Sequence, residues 1–224
     1  MVRAVVFDFD GLILDTESAV YEAWAEVYRD HGQELSLEFW KGLIGFGSDR
    51  FDPIADLEAR LDRRLDAAAL LAGRRASERR LLEGMAPMPG VVAWRRDARR
   101  LGMGLGVASS SSRGWVTGHL ANLGLDDWDC IRCGTDVTNA KPHPEVYLAV
   151  TDCLGCRPED AIALEDSNPG LRAAKAAGLR CVVVPGPLTA GHDLGQADLV
   201  LESLEAAGLE EVLRRLGQRA GETR

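Results

Sequence analysis

No run of apolar residues in the chain approaches the ~18–20 that a bilayer crossing requires, which excludes a membrane-spanning helix. The N-terminus lacks a basic segment followed by an apolar stretch and a cleavage site, and opens straight into a strand-like run. A cytosolic, membrane-free protein is therefore expected. Positive charge is short as well, with 26 Lys and Arg against 35 Asp and Glu, a net −9. That deficit argues against nucleic acid or an anionic membrane as the main partner. It leaves an anionic small molecule open, because a metal and a lysine reverse the field inside a cleft. The four histidines, His31, His119, His143 and His192, match no ligand spacing. No internal repeat is visible, and only the polar tail from Gly217 looks low in structure.

Cysteine is scarce, and its arrangement needs a test. Cys130 and Cys133, then Cys153 and Cys156, form a pair of C-x2-C pairs at zinc-ribbon spacing. The first pair falls on a strand-like segment, where positions i and i+3 face opposite sides, and the second at the end of a helical stretch. Free thiols are the expectation, with Cys181 in the core. A zinc-stabilised binding protein is the alternative that this pattern leaves.

Residues 17–82 show no convincing strand, only helix. Ser18 to His31 carries Val20, Trp24, Val27 and Tyr28 at helical spacing, Ser36 to Leu43 is a shorter candidate, and Asp52-Pro53 starts a helix reaching Leu65. Asp66 to Leu82 is a fourth. Pro87 to Gly90 reads as a linker. Thereafter helix and strand alternate. Helices are expected at Val91 to Arg100, Trp115 to Leu123, Pro144 to Leu154, Gly170 to Ala177 and Ser203 to Leu216. Strands are expected at Met103 to Ala108, Cys130 to Cys133, Ala161 to Leu164, Arg180 to Val184 and Asp198 to Leu201. With the N-terminal strand Val2 to Phe7, this predicts an α/β fold: a doubly wound parallel sheet, Rossmann-like, with an inserted all-helical cap. The expected division is a core of 1–16 and 83–224 and a cap of 17–82, and 224 residues suit a domain plus an insert.

What the sequence does have is chemistry at strand ends. Val2 to Phe7 runs into Asp8, Phe9, Asp10 and Gly11, and alternate strand residues share a face, so Asp8 and Asp10 reach one small volume. Two close carboxylates repel unless a cation, a proton or a substrate lies between them. Gly11 turns the chain and brings backbone N–H groups near whatever they hold. The other strand ends carry Ser109 to Ser112, Lys141 on the loop after the Cys130 strand, and Glu165-Asp166. Each has an ordinary reading, as a polar loop, a surface lysine or a helix cap. Their coincidence at one edge, where open parallel sheets bind ligands, favours a single site. Asp8, Asp10, Glu165 and Asp166 would make an oxygen-only site for Mg²⁺, while Ser109, with neighbouring Ser110, and Lys141 would hold an anion.

In order, FDFDG…DT, VASSS, KPHP and LEDSNPG resemble the haloacid dehalogenase-like hydrolases, in the branch of β-phosphoglucomutase and phosphoglycolate phosphatase with a small helical cap. The resemblance covers nearly the whole chain, the cap mainly by position. It implies that Asp8 is a nucleophile, Asp10 a general acid/base, and Ser109 and Lys141 ligands of the transferring phosphoryl group. Glu165 and Asp166 would complete a Mg²⁺ site, and Gly11, Thr16 and Arg50 stand as further substrate-binding candidates. The histidine that β-phosphoglucomutases carry on the first cap helix, five residues after the DT aspartate, is Val20 here. That favours a phosphatase acting on a small phosphorylated metabolite over a mutase, and a monomer is expected. A non-enzymatic phospho-acceptor module is the further alternative, disfavoured because it has no need of a cap.

Overall fold

The computed structural model describes residues 2–44 and 51–219. Six strands form one parallel sheet in the order β3-β2-β1-β4-β5-β6. They are β1 (Ala4–Phe7), β2 (Gly104–Ala108), β3 (Cys130–Arg132), β4 (Ala161–Glu165), β5 (Arg180–Val183) and β6 (Leu199–Val200). The first strand lies at the middle, Phe7 beside Val107 on one side and Leu164 on the other. Both of its faces are covered, which explains why the run is apolar without alternation. Val5 and Phe7 pack on one face against α5 (Val91–Arg100), α6 (Arg113–Asn122) and α9 (Leu209–Arg219). Ala4 and Val6 face the other way, toward α7 (Glu145–Cys153) and α8 (Asn168–Ala176).

Between β1 and α5 lie α1 (Thr16–Asp30), α2 (Leu37–Lys41), α3 (Pro53–Leu61) and α4 (Ala67–Leu82). They share a separate apolar cluster built on Trp24, Tyr28, Trp40 and Leu57, joined from the sheet side by Leu188. Among the described residues no helix is long and apolar enough to cross a membrane.

Three expectations are corrected. The helix opened by Asp52, whose carboxylate accepts from the Ile54 and Ala55 amides, stops at Leu61 rather than Leu65, because Asp62 takes a left-handed conformation with φ 50°. The last helix starts at Leu209 rather than Ser203. The Leu204 and Ala207 carbonyls in the turns before it accept from the Trp94 indole instead of a helical amide. Cys130 and Cys153 are not free thiols but a disulfide tying β3 to the end of α7, with Cα atoms 6.2 Å apart; Cys133, Cys156 and Cys181 are free. Pairing across the C-x2-C units removes the ligand geometry that a zinc ribbon needs.

Candidate active site

The ends of β2, β1 and β4 meet at one edge of the sheet. Pairing continues one residue past β1 and β2: the Asp8 amide donates to Leu164 O at 2.9 Å, and the Ser109 amide to Arg132 O at 3.0 Å. Side chains at these positions are thus set by the ladder rather than by loop conformation. Lys141, from the crossover between β3 and α7, reaches under them and is buried. Its ammonium donates to Asp8 Oδ1 at 2.6 Å, Glu165 Oε1 at 2.6 Å and Ala108 O at 2.9 Å, which uses all three donors. Burial opposes that charge, but Asp8 and Glu165 outweigh it and hold the Lys141 pKa above its usual value. The ring of Tyr147 lies 5.1 Å from the ammonium, and its hydroxyl donates to Glu165 Oε1.

Burial lifts the Asp8 carboxyl well above the ordinary carboxylate range; Lys141 opposes this, and Glu165 and Asp10 add to it. Asp166 is raised in the same direction, first by burial and then by Asp8 and Glu165. Asp8, Glu165 and Asp166 each offer an oxygen within 4.8 Å of the others. Glu165 Oε2 is buried without a hydrogen-bond partner, and Asp166 Oδ2 accepts a long hydrogen bond from the Thr189 hydroxyl at 3.4 Å. Two glycines make room for these carboxylates. A Cβ on Gly11, which has φ 83°, would strike Asp166 Oδ2, and one on Gly170 would strike the Glu165 carboxylate. An oxygen-only cluster with spare acceptor capacity fits a hard divalent cation such as Mg²⁺.

The Asp10 carboxylate, expected among the metal ligands, is not in this cluster, because four donors hold it elsewhere. Oδ1 accepts from Thr16 Oγ1 and Trp115 Nε1, both at 2.8 Å. Oδ2 accepts from Ser109 Oγ at 3.1 Å and Ser111 Oγ at 2.7 Å. Thr16, a candidate for the substrate, is thereby committed to Asp10. The Gly11 amide, expected to face a ligand, donates to Leu14 O at 2.8 Å, so this glycine serves the turn and the room beside Asp166. Ser110 is exposed at the mouth of the site. Arg50 lies outside the described residues.

Above these groups is a cavity of about 480 Å³. Asp8, Asp10, Lys141 and Asp166 form its floor, Glu17, Val20, Arg74 and Glu78 contribute from α1 and α4, and Ile44 from the turn after α2. Arg74 pairs with Glu78 at 3.1 Å and lies 5.5 Å from the centre of the Trp24 ring. Sequence reasoning missed Ser111, Trp115 and Tyr147. Ser111 at least stood within a serine run already singled out, while nothing local marks Trp115 or Tyr147 as reaching the site.

A doubly wound sheet with a buried lysine, three clustered carboxylates and a covered cavity at one edge defines a hydrolase-type enzyme core. The family model for "Haloacid dehalogenase-like hydrolase" matches residues 5–184, and the chain belongs to that family. It is 40% identical over 217 residues, 96% of this chain and 98% of the relative, to YhcW of Bacillus subtilis (strain 168), which carries phosphatase in its name. A structure of CbbY from Rhodobacter sphaeroides in complex with xylulose-(1,5)-bisphosphate superposes with a TM-score of 0.73 at 30% identity, over 94% of this chain and 98% of that one. β-Phosphoglucomutase from Clostridium difficile shares the fold, with a TM-score of 0.77 at 23% identity, over 98% of this chain and 99% of that one.

Proposed function

We propose that the protein is a Mg²⁺-dependent phosphatase that hydrolyses a small phosphorylated metabolite through an aspartyl-phosphate on Asp8. The observation that carries this reading is the ammonium of Lys141 bridging Asp8 and Glu165 at 2.6 Å each, on the floor of a covered cavity. Asp8 is the nucleophile: its carboxylate forms the new bond to phosphorus while the substrate's ester oxygen leaves. Lys141 stabilises charge on the phosphoryl oxygens and opposes burial in keeping Asp8 ionised. The Ser109 hydroxyl, now on Asp10, turns to a phosphoryl oxygen when one is present. Asp10 gives its proton to the leaving alkoxide and takes one from the water that then attacks the acyl phosphate. A cation held by Asp8, Glu165 and Asp166 would supply charge neutralisation between the two anionic reactants.

The name of YhcW supports a phosphorylated substrate for this chain too, and the CbbY complex a sugar-like one. Val20 lines the cavity at the position where the mutases have a histidine, which supports water as acceptor. The helices of 17–82 are read as a cap over a core of 1–16 and 83–224. Asp8→Asn tests the assignment, since it keeps the volume and removes the nucleophile. Phosphate release across a panel of sugar, polyol and nucleoside monophosphates should fall by ~10⁴ or more in the variant. Activity within tenfold of wild type rejects the nucleophile, and efficient interconversion of glucose 1-phosphate and glucose 6-phosphate by the wild type rejects the phosphatase.

A further inference from the structure

The contacts of Asp10 divide into two kinds. A carboxylate offers about four acceptor directions, and here all four are taken. On Oδ2 both donors are serine hydroxyls, which rotate freely and would find a better acceptor in a phosphoryl group beside Asp8. On Oδ1 the donors cannot be redirected so easily. Thr16 is buried in the first turn of α1. Trp115 carries a single N–H whose direction is fixed by the ring, and an indole can only donate. That ring is braced edge-on against His119, with centroids 4.3 Å apart, and His119 in turn lies 6.2 Å from Phe9. Trp115 is placed by α6, whose N-cap Ser112 accepts from the Trp115 amide.

We infer that Trp115 is a positioning residue for Asp10: its indole N–H, with the Thr16 hydroxyl, anchors Oδ1 so that Oδ2 is the oxygen that exchanges a proton with substrate and water. This rests on the reading of Asp10 as general acid. When the Asp8–phosphorus bond forms and the ester bond breaks, the proton on Oδ2 goes to the leaving oxygen. A carboxyl free to rotate would present that proton correctly only part of the time. Trp115 also forms part of the cavity wall. Its substitution by Phe keeps an aromatic surface there and removes only the N–H and the outer ring.

The test separates this role from a structural one through the leaving group. An alkoxide requires a proton as it departs, whereas nitrophenolate is stable as an anion. In the presence of Mg²⁺, Trp115→Phe should lower kcat/KM for glycerol 2-phosphate about tenfold, and for p-nitrophenyl phosphate by less than threefold. Asp10→Asn, run in parallel, should show the same split more strongly. Equal losses on both substrates in Trp115→Phe, beside a split in Asp10→Asn, overturn the role of Trp115 alone. No split in Asp10→Asn overturns the acid assignment and the inference with it. A second measurement does not need the Phe variant to fold. Of the five tryptophan indole N–H resonances in ¹⁵N-labelled protein, a single one should move markedly upfield in Asp10→Ala. Five unmoved resonances overturn the inference.

Discussion

Glu17 enters the cavity from the first turn of α1 with two carboxylates, Asp10 and Asp15, for neighbours. Burial first, and then those two charges, push its carboxyl up to about 8, although the helix N-terminus at which it sits favours the ionised form. The folded protein therefore holds this proton more tightly than the unfolded chain does, where the group titrates near 4.5. Stability falls as pH rises through that interval, because the native state must either carry an unwelcome charge or keep a proton that solvent now takes. Glu17→Gln removes this residue's share of the dependence. Thermal melts at pH 8.5 should show the variant roughly 3–5 °C above wild type, and at pH 4 the two should coincide. A constant offset at both pH values would place the effect in packing instead.

At the scale of elements, β3 and α7 deserve comparison with the rest. The crossover between them carries Lys141, and the Cys130–Cys153 disulfide closes that crossover into a covalent loop spanning 23 positions. In a chain-entropy account a loop of that length stabilises the fold by about 3 kcal/mol. Cys153 is the exposed partner, so Cys153→Ser leaves the buried side intact. Its melting temperature should fall by roughly 10 °C, and dithiothreitol should lower wild type to the same value while leaving the variant unchanged. Nothing in the local sequence announced this bridge, because it depends on how the end of a helix packs on an edge strand. The motifs at strand ends were legible for the opposite reason. Asp8, Ser109 and Glu165 follow apolar β-forming runs directly, and the ladder fixes where such residues point. Helix-borne partners were not. Trp115 and Tyr147 look like core aromatics until the rotation of α6 and α7 is known, and each turns one polar hydrogen onto a site carboxylate. The Asp cap was readable at Asp52, and Asp66, read as the first residue of its helix, proves to be the cap, whereas the late start of α9 was set by the Trp94 indole from another element.

For the molecule as a whole, the clustered carboxylates join the ends of two adjacent central strands, β1 and β4. A cation bound there interacts with the folded state and not with the unfolded chain, so it stabilises by mass action. Mg²⁺ at about a hundred times its dissociation constant should add ~2.7 kcal/mol, roughly 5–10 °C in a protein of this size. A chelator should reverse the shift, and Asp166→Asn should abolish it. A melting temperature indifferent to Mg²⁺ would remove the cation from this cluster.

The order of strands also has a consequence during synthesis. The central strand, Ala4–Phe7, is made long before either neighbour, since it pairs with Gly104–Val107 and Ala161–Leu164. At roughly 5–20 residues per second, the nascent chain carries an apolar segment with both edges open for on the order of ten seconds. The helices encoded next are rich in local contacts and can fold meanwhile, but they do not cover that segment's flanks. Until Glu165 and Asp166 have cleared the ribosome, Asp8 lacks both its lysine-sharing partner and its fellow carboxylate. Competence thus arrives late and all at once, and a ribosome stalled before that point would hold a chain exposed to chaperones and to association with its like.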